Sequence, residues 1–183
     1  MKRTIVLFAG LGLVLLAVSA LVLQKERLVT RGTRLYLELA PRDPRSLMQG
    51  DYMRLDYRIA RQGRDLADRQ RDEASDDDGA APGERRETWP DRGTLVVRPD
   101  ERGVARLVRR HEGEPLAPGE VLVRYRRQGW RLHVGTDAWY FQEGTAGLYE
   151  TARYGEVAVG ARGDVLLVAL RDEQLTVLGT PLH

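Results

Sequence analysis

The sequence predicts a mainly β protein: an N-terminal transmembrane helix, then an antiparallel β-sheet or barrel-like domain with one short helix and one long charged loop. Three observations carry this. Ile5 to Leu23 contains no charged side chain and is almost wholly aliphatic. Beyond it, apolar residues return at every second position in run after run, the period of a half-buried strand. Gly-containing polar turns separate the runs, as antiparallel hairpins require. The predicted organisation is residues 1–4 as a cytoplasmic stub, 5–23 as the anchor and 28–183 as the β domain, with 60–93 as a flexible charged loop.

The anchor comes first. At ~1.5 Å per residue, Ile5–Leu23 spans roughly the ~30 Å hydrocarbon core of a bilayer. Lys2 and Arg3 precede it, and Lys25 and Arg27 flank Glu26 after it. The positive-inside rule therefore sets the N-terminus in the cytoplasm and the domain outside. A cleaved leader is the alternative, because Val18-Ser19-Ala20 offers small residues. The apolar run, however, continues through Leu21-Val22-Leu23, so cleavage there would leave a hydrophobic stub.

Charge and composition narrow the classes. Lys2 and Arg3 supply the entire excess of 29 Lys and Arg over 27 Asp and Glu. The body is electrically balanced, which argues against a nucleic-acid partner. The chain has no cysteine, so disulfides, thiolate nucleophiles and Cys-based zinc sites are excluded.

The strands follow in order. Leu35, Leu37 and Leu39 alternate with Tyr36 and Glu38. Met53, Leu55, Tyr57 and Ile59 alternate with Arg54, Asp56 and Arg58. Residues 93–110 form two strands around a turn at Asp100–Gly103. Residues 120–135 form two more around Gln128-Gly129, and residues 155–178 a third hairpin around Arg162-Gly163-Asp164. The segment 60–93 is charged and poor in apolar residues, so it is expected to be an exposed loop, with 64–74 able to form a solvated helix. Leu148 and Ala152 at i, i+4 predict the short helix, closed before Gly155.

Between the first two strands lies a corner, "DPRSLMQGDYMRLDY". Asp43 suits an N-cap, Pro44 the first helical position, and Arg45 to Met48 one turn. Gly50 permits the left-handed residue that ends the turn. Asp51 can accept backbone N–H groups there. Leu55 and Tyr57 face the core, whereas Tyr52 has the opposite parity and faces outward, where a large ring invites a partner.

Catalytic constellations are weak. A Ser46–Lys25 dyad resembles that of bacterial signal peptidases, but Lys25 precedes the serine, the reverse of their order. Ser46 or Ser75 with His111, His133 or His183 lacks a nucleophile-elbow context. The three histidines have no ligand spacing, and Asp76-Asp77-Asp78-Gly79 lacks the spaced ligands and distal Glu of a calcium loop. Glu143, Glu150 and Glu156 are acid–base candidates by residue type alone. No pattern implies a metal or cofactor.

"GDYMRLDY", Gly50 to Tyr57, matches the signature of the GDYXXLXY-domain proteins letter for letter, and "DPRSLMQ", "YFQEG" and "ARYGE" resemble the same family over about residues 30–178. These are bacterial membrane-anchored proteins. The resemblance implies an anchor, a multi-pass membrane protein as partner, and Gly50, Asp51, Tyr52, Leu55 and Tyr57 as binding candidates. Trp139, Tyr140, Phe141 and Glu143 are secondary candidates. It implies no reaction. The expected function is a non-catalytic accessory or interaction subunit of a membrane complex, single-pass in the inner membrane with its domain outside the cytoplasm. The alternatives are a sensor or binder of a small ligand or envelope polymer, using the aromatics Tyr52, Trp139, Tyr140 and Phe141, and a carboxylate hydrolase.

Overall fold

The computed structural model describes residues 2–40, 52–76 and 89–179, with side chains from Gly10 onward except at Gln24, Arg27 and 73–76. The chain is mainly β, with antiparallel sheets and a few helices.

Helix α1 spans Lys2–Arg31. It ends because Gly32 follows: the Gly32 N–H donates to Leu28 O at 3.0 Å, and a Cβ at Gly32 would stand 2.4 Å from that same oxygen. Only glycine lets the chain leave the helix so tightly. From Gly10 to Leu23 every described side chain is exposed. Among the described residues, whose side chains in α1 begin at Gly10, no helix is long and apolar enough to cross a membrane.

Strand β1 (Thr33–Glu38) follows without a linker. It pairs with β8 (Tyr154–Val159), which pairs with β9 (Val165–Arg171), which pairs with β10 (Val177–Leu178). A second sheet has the order β4 (Ala105–Arg110), β3 (Arg92–Pro99), β5 (Val121–Gln128), β6 (Arg131–Val134). A two-stranded ribbon joins β2 (Tyr52–Arg54) to β7 (Ala138–Tyr140). The three predicted hairpins are β3–β4, β5–β6 and β8–β9. Leu35, Leu37, Val157 and Leu167 of the first sheet share one core with Leu95, Val97, Val123 and Tyr125 of the second. The sheets also touch where the Tyr36 N–H donates to Gly103 O at 2.9 Å and the Arg124 N–H to Gly163 O at 2.8 Å.

Two expectations need correction. The span 60–93 is not a loop throughout: helix α2 covers Arg58–Asp76. Its Ile59, Ala60 and Gly63 are buried, and Leu66 and Ala67 pack partly against the core. A stripe this narrow suffices to dock a helix, and composition averaged over all faces conceals it. Trp89, also within 60–93, is 2 % exposed, and its Nε1–H donates to Gln70 Oε1 at 2.7 Å. The strand at the motif is correspondingly shorter than the alternation implied. It stops at Arg54, and Ile59 reaches the core from α2.

The expected short helix is a 3-10 turn, Ala146–Tyr149. It buries Tyr149 rather than Leu148, which is exposed. Ala152 is buried beyond its end, so the i, i+4 pair marks no helical face.

Candidate functional site

Of the motif, Gly50 and Asp51 lie outside the described residues, as does the Asp43–Met48 turn. Tyr52, Leu55 and Tyr57 are described, and they divide as parity predicts: Leu55 and Tyr57 are buried, and Tyr52 is half-buried. Antiparallel pairing sets Tyr52 opposite Tyr140 and Met53 opposite Trp139. The primary and secondary candidates are thus neighbours. The Tyr52 and Tyr140 rings are 5.7 Å apart, tilted by 37°, and Tyr140 is 75 % exposed. Trp139 is buried and meets Tyr149 edge-on at 6.1 Å, and Phe141 stacks on Tyr149 at 5.2 Å. These two rings brace the ribbon, leaving Tyr52 and Tyr140 as its outward pair. Glu143 is exposed in the following turn and forms no ion pair among the described residues.

Leu55 and Tyr57 hold the motif to its surroundings. The Leu55 N–H donates to Asp137 O at 2.8 Å, and the Ala40 N–H donates to Asp56 O at 2.7 Å. Tyr57 bridges Leu39. Its hydroxyl is buried and has no hydrogen-bond partner. Burial, and then the Asp137 carboxylate, push its pKa well above the ordinary phenol value.

The carboxylate and histidine candidates are scattered. Glu156 is held by Arg171 at 2.6 Å and Arg34 at 3.3 Å, an ion-pair cluster on the β1–β8–β9 sheet. Glu150 is exposed. His111 lies 3.7 Å from Glu114, and His133 Nδ1 lies 2.9 Å from Asp137 Oδ1. No serine side chain is described near either histidine.

Sequence reasoning missed a cleft of about 300 Å³ beside the motif. Its floor is Leu55, Tyr57, Ala60, Leu132 and Val134, and its rim includes Arg54, Arg61, Arg64, Trp130 and Arg131. The first turns of α2 form one wall and the β5–β6 hairpin the other. Trp130 is 65 % exposed and has two guanidiniums over its ring, Arg131 at 4.7 Å and Arg64 at 5.5 Å from its centre. The available signal was the tryptophan itself: a large ring just past a turn glycine, between Arg127 and Arg131, is unusual for a solvent-facing hairpin tip.

The family model of the GDYXXLXY protein matches residues 14–170. The chain belongs to the GDYXXLXY family. The match runs from within α1 to Leu170 in β9 and so includes the whole second sheet, β1, β8 and nearly all of β9, the motif ribbon and α2, but not β10. In this GDYXXLXY protein the signature leucine and final tyrosine are core residues, and its first tyrosine is half-buried. No curated protein and no solved structure matches the chain.

Proposed function

We propose that this GDYXXLXY protein is a membrane-anchored, single-pass protein whose domain lies outside the cytoplasm and serves as a non-catalytic accessory or interaction subunit of a membrane complex. The observation that carries the reading is α1. Leu11, Leu13, Leu15, Leu16, Leu21 and Leu23 are each more than half exposed, on all sides of one helix joined directly to β1. Water disfavours such a surface by ~25 cal/mol per Å² of apolar area; a bilayer does not. The uncharged run begins at Ile5, ahead of the described side chains. A multi-pass membrane protein is the proposed partner, with the exposed Tyr140 and its half-buried neighbour Tyr52 as the contact pair. Aromatic pairs with one open face suit an interface.

Co-purification tests this. The full chain, extracted in mild detergent, should bring down a stoichiometric integral membrane protein, and a reporter fused after His183 should be active only in its exported form. Recovery of the chain in the soluble fraction would overturn the anchor. A monodisperse chain without partner from membranes would overturn the subunit role. A second reading, a binder of small ligands, is favoured by the cleft beside the motif.

A further inference from the structure

We propose that the cleft between α2 and the β5–β6 hairpin binds a small soluble anion carrying a flat apolar body, in chemical class an aryl phosphate or aryl carboxylate. This goes beyond the anchored-subunit reading; only its choice of a soluble source over a lipid headgroup rests on that reading.

Charge is the first ground. Four arginines line the cleft against two aspartates. Asp56 is taken up by Arg61, whose Nε and Nη2 both donate to it at 3.0 and 2.8 Å. Asp137 is engaged by His133. Arg64 reaches Asp65, which is not part of the lining. Arg54 and Arg131 have no ion-pair partner among the described residues. The rim therefore carries uncompensated guanidinium charge, and a guanidinium's planar fork matches the two oxygens of a carboxylate or phosphate.

Shape and apolarity are the second ground. Behind the rim the floor is buried and apolar, and Tyr57 adds a buried hydroxyl with no partner. The volume falls at the lower end of small-molecule sites. Trp130 keeps most of its surface exposed although Arg131 and Arg64 lie over its ring, so a flat ligand packing against its uncovered part gains apolar burial while its anion meets Arg131 or Arg54. An inorganic anion would use the rim and leave the floor and ring unused.

Position is the third. Thr33, at the start of β1, adjoins the end of α1, whereas Tyr57 pairs with Leu39 just past the other end of β1. At ~3.3 Å per residue this separates the cleft from the end of α1 by roughly 20 Å of strand. A soluble ligand reaches such a site, whereas the headgroups around the chain's own helix do not.

The test uses the full chain in detergent and in nanodiscs of anionic phospholipid, titrated with phenyl phosphate, benzoate, inorganic phosphate and phenol by calorimetry and tryptophan fluorescence. Phenyl phosphate or benzoate should bind saturably, roughly tenfold more tightly than phenol or inorganic phosphate, and equally in both environments. Arg54→Gln and Arg131→Gln should each weaken binding about fivefold or more. Trp130→Ala should remove the preference for aryl over inorganic phosphate. Melting temperatures should stay near wild type, because all three side chains are exposed. Absence of saturable binding, phenol binding as tightly as phenyl phosphate, or undiminished affinity in all three folded variants would overturn the site. Loss of binding only in anionic nanodiscs would overturn the soluble source in favour of a lipid headgroup.

Discussion

Tyr57 packs against Gly155: a Cβ built on Gly155 would stand 3.2 Å from Tyr57 Cε1 and 2.9 Å from Leu167 Cδ1. The last residue of the motif and the glycine of "ARYGE" are therefore two sides of one contact. Gly155 is buried in β8 with a strand backbone, so it is the space, not the φ angle, that excludes a side chain. Gly155→Ala should overpack this contact and destabilise the domain by about 1–3 kcal/mol. The urea midpoint measures it, and an unchanged midpoint would show that Leu167 and Tyr57 give way freely.

Tyr57→Phe should move stability the other way. The hydroxyl is buried without a partner, and folding strips it of water with no return. Removing it keeps the ring against Gly155 and deletes a desolvation cost of about 1–3 kcal/mol. The melting temperature should hold or rise. A clear fall would mean the hydroxyl is satisfied in solution, for instance by water.

Much of the sheet was legible and little of the cleft was. Alternation exposes a strand because burial on one face repeats every two residues, and Leu35/Leu37 and Met53/Leu55 carry that signal without outside help. A solvated helix over 64–74 was legible, but the docking of α2 on the core was not, since Ile59, Gly63 and Leu66 are few among arginines and aspartates yet fall on one face. The ribbon that pairs Tyr52 with Tyr140 is a contact over a long sequence separation, and no local pattern reports its register. The cleft depends on α2 and the β5–β6 hairpin meeting, so Arg54, Arg61 and Trp130 were separate surface residues until the fold joined them.

Leu55 and Tyr52 should separate in their effects. Leu55 is buried in the core, so Leu55→Ala should cost about 2–5 kcal/mol. Tyr52 is half-buried and packs across the ribbon on the Tyr140 ring; loss of that ring contact should make Tyr52→Ala cost at least about 0.5–1.5 kcal/mol. A double-mutant cycle with Tyr140→Ala should show coupling of the same order. Additive losses at Tyr52 and Tyr140 would show that the rings do not support one another. In the co-purification experiment, Tyr52→Ala should reduce partner recovery per folded molecule, and full recovery would remove Tyr52 from the interface.

Gln70→Ala tests whether α2 is part of the domain. Gln70 accepts the indole N–H of a tryptophan that is 2 % exposed. Truncating it leaves that donor buried and unpaired, at a cost of about 1–3 kcal/mol. Chemical denaturation measures it, and a wild-type midpoint would argue that α2 undocks readily at this end.

Acid should unfold the domain partly through Glu120. Its side chain is 4 % exposed and lies 3.2 Å from Arg98 and 3.0 Å from Arg109, tying β3 and β4 to the 111–120 loop. The Ala117 N–H donates to it, and this bond, with Arg109 and Arg98 beyond it, holds its carboxyl below the ordinary glutamate value of 4.5 despite the opposing effect of burial. A carboxyl depressed in the folded state stabilises above its unfolded pKa, and that stability is lost as pH falls through the folded value. Between pH 7 and 5 the contribution should therefore be constant. Below 4.5 it should decline, because the unfolded chain takes up the proton first. Glu120→Gln removes the charge but keeps an acceptor, so it should lower the melting temperature at pH 7, with the gap to wild type closing as pH falls towards 3. Melting curves of both proteins at pH 7, 5, 4 and 3 supply the comparison. A gap that stays the same at every pH would mean that the variant loses packing, and that the charge on Glu120 does not hold the loop to the sheet.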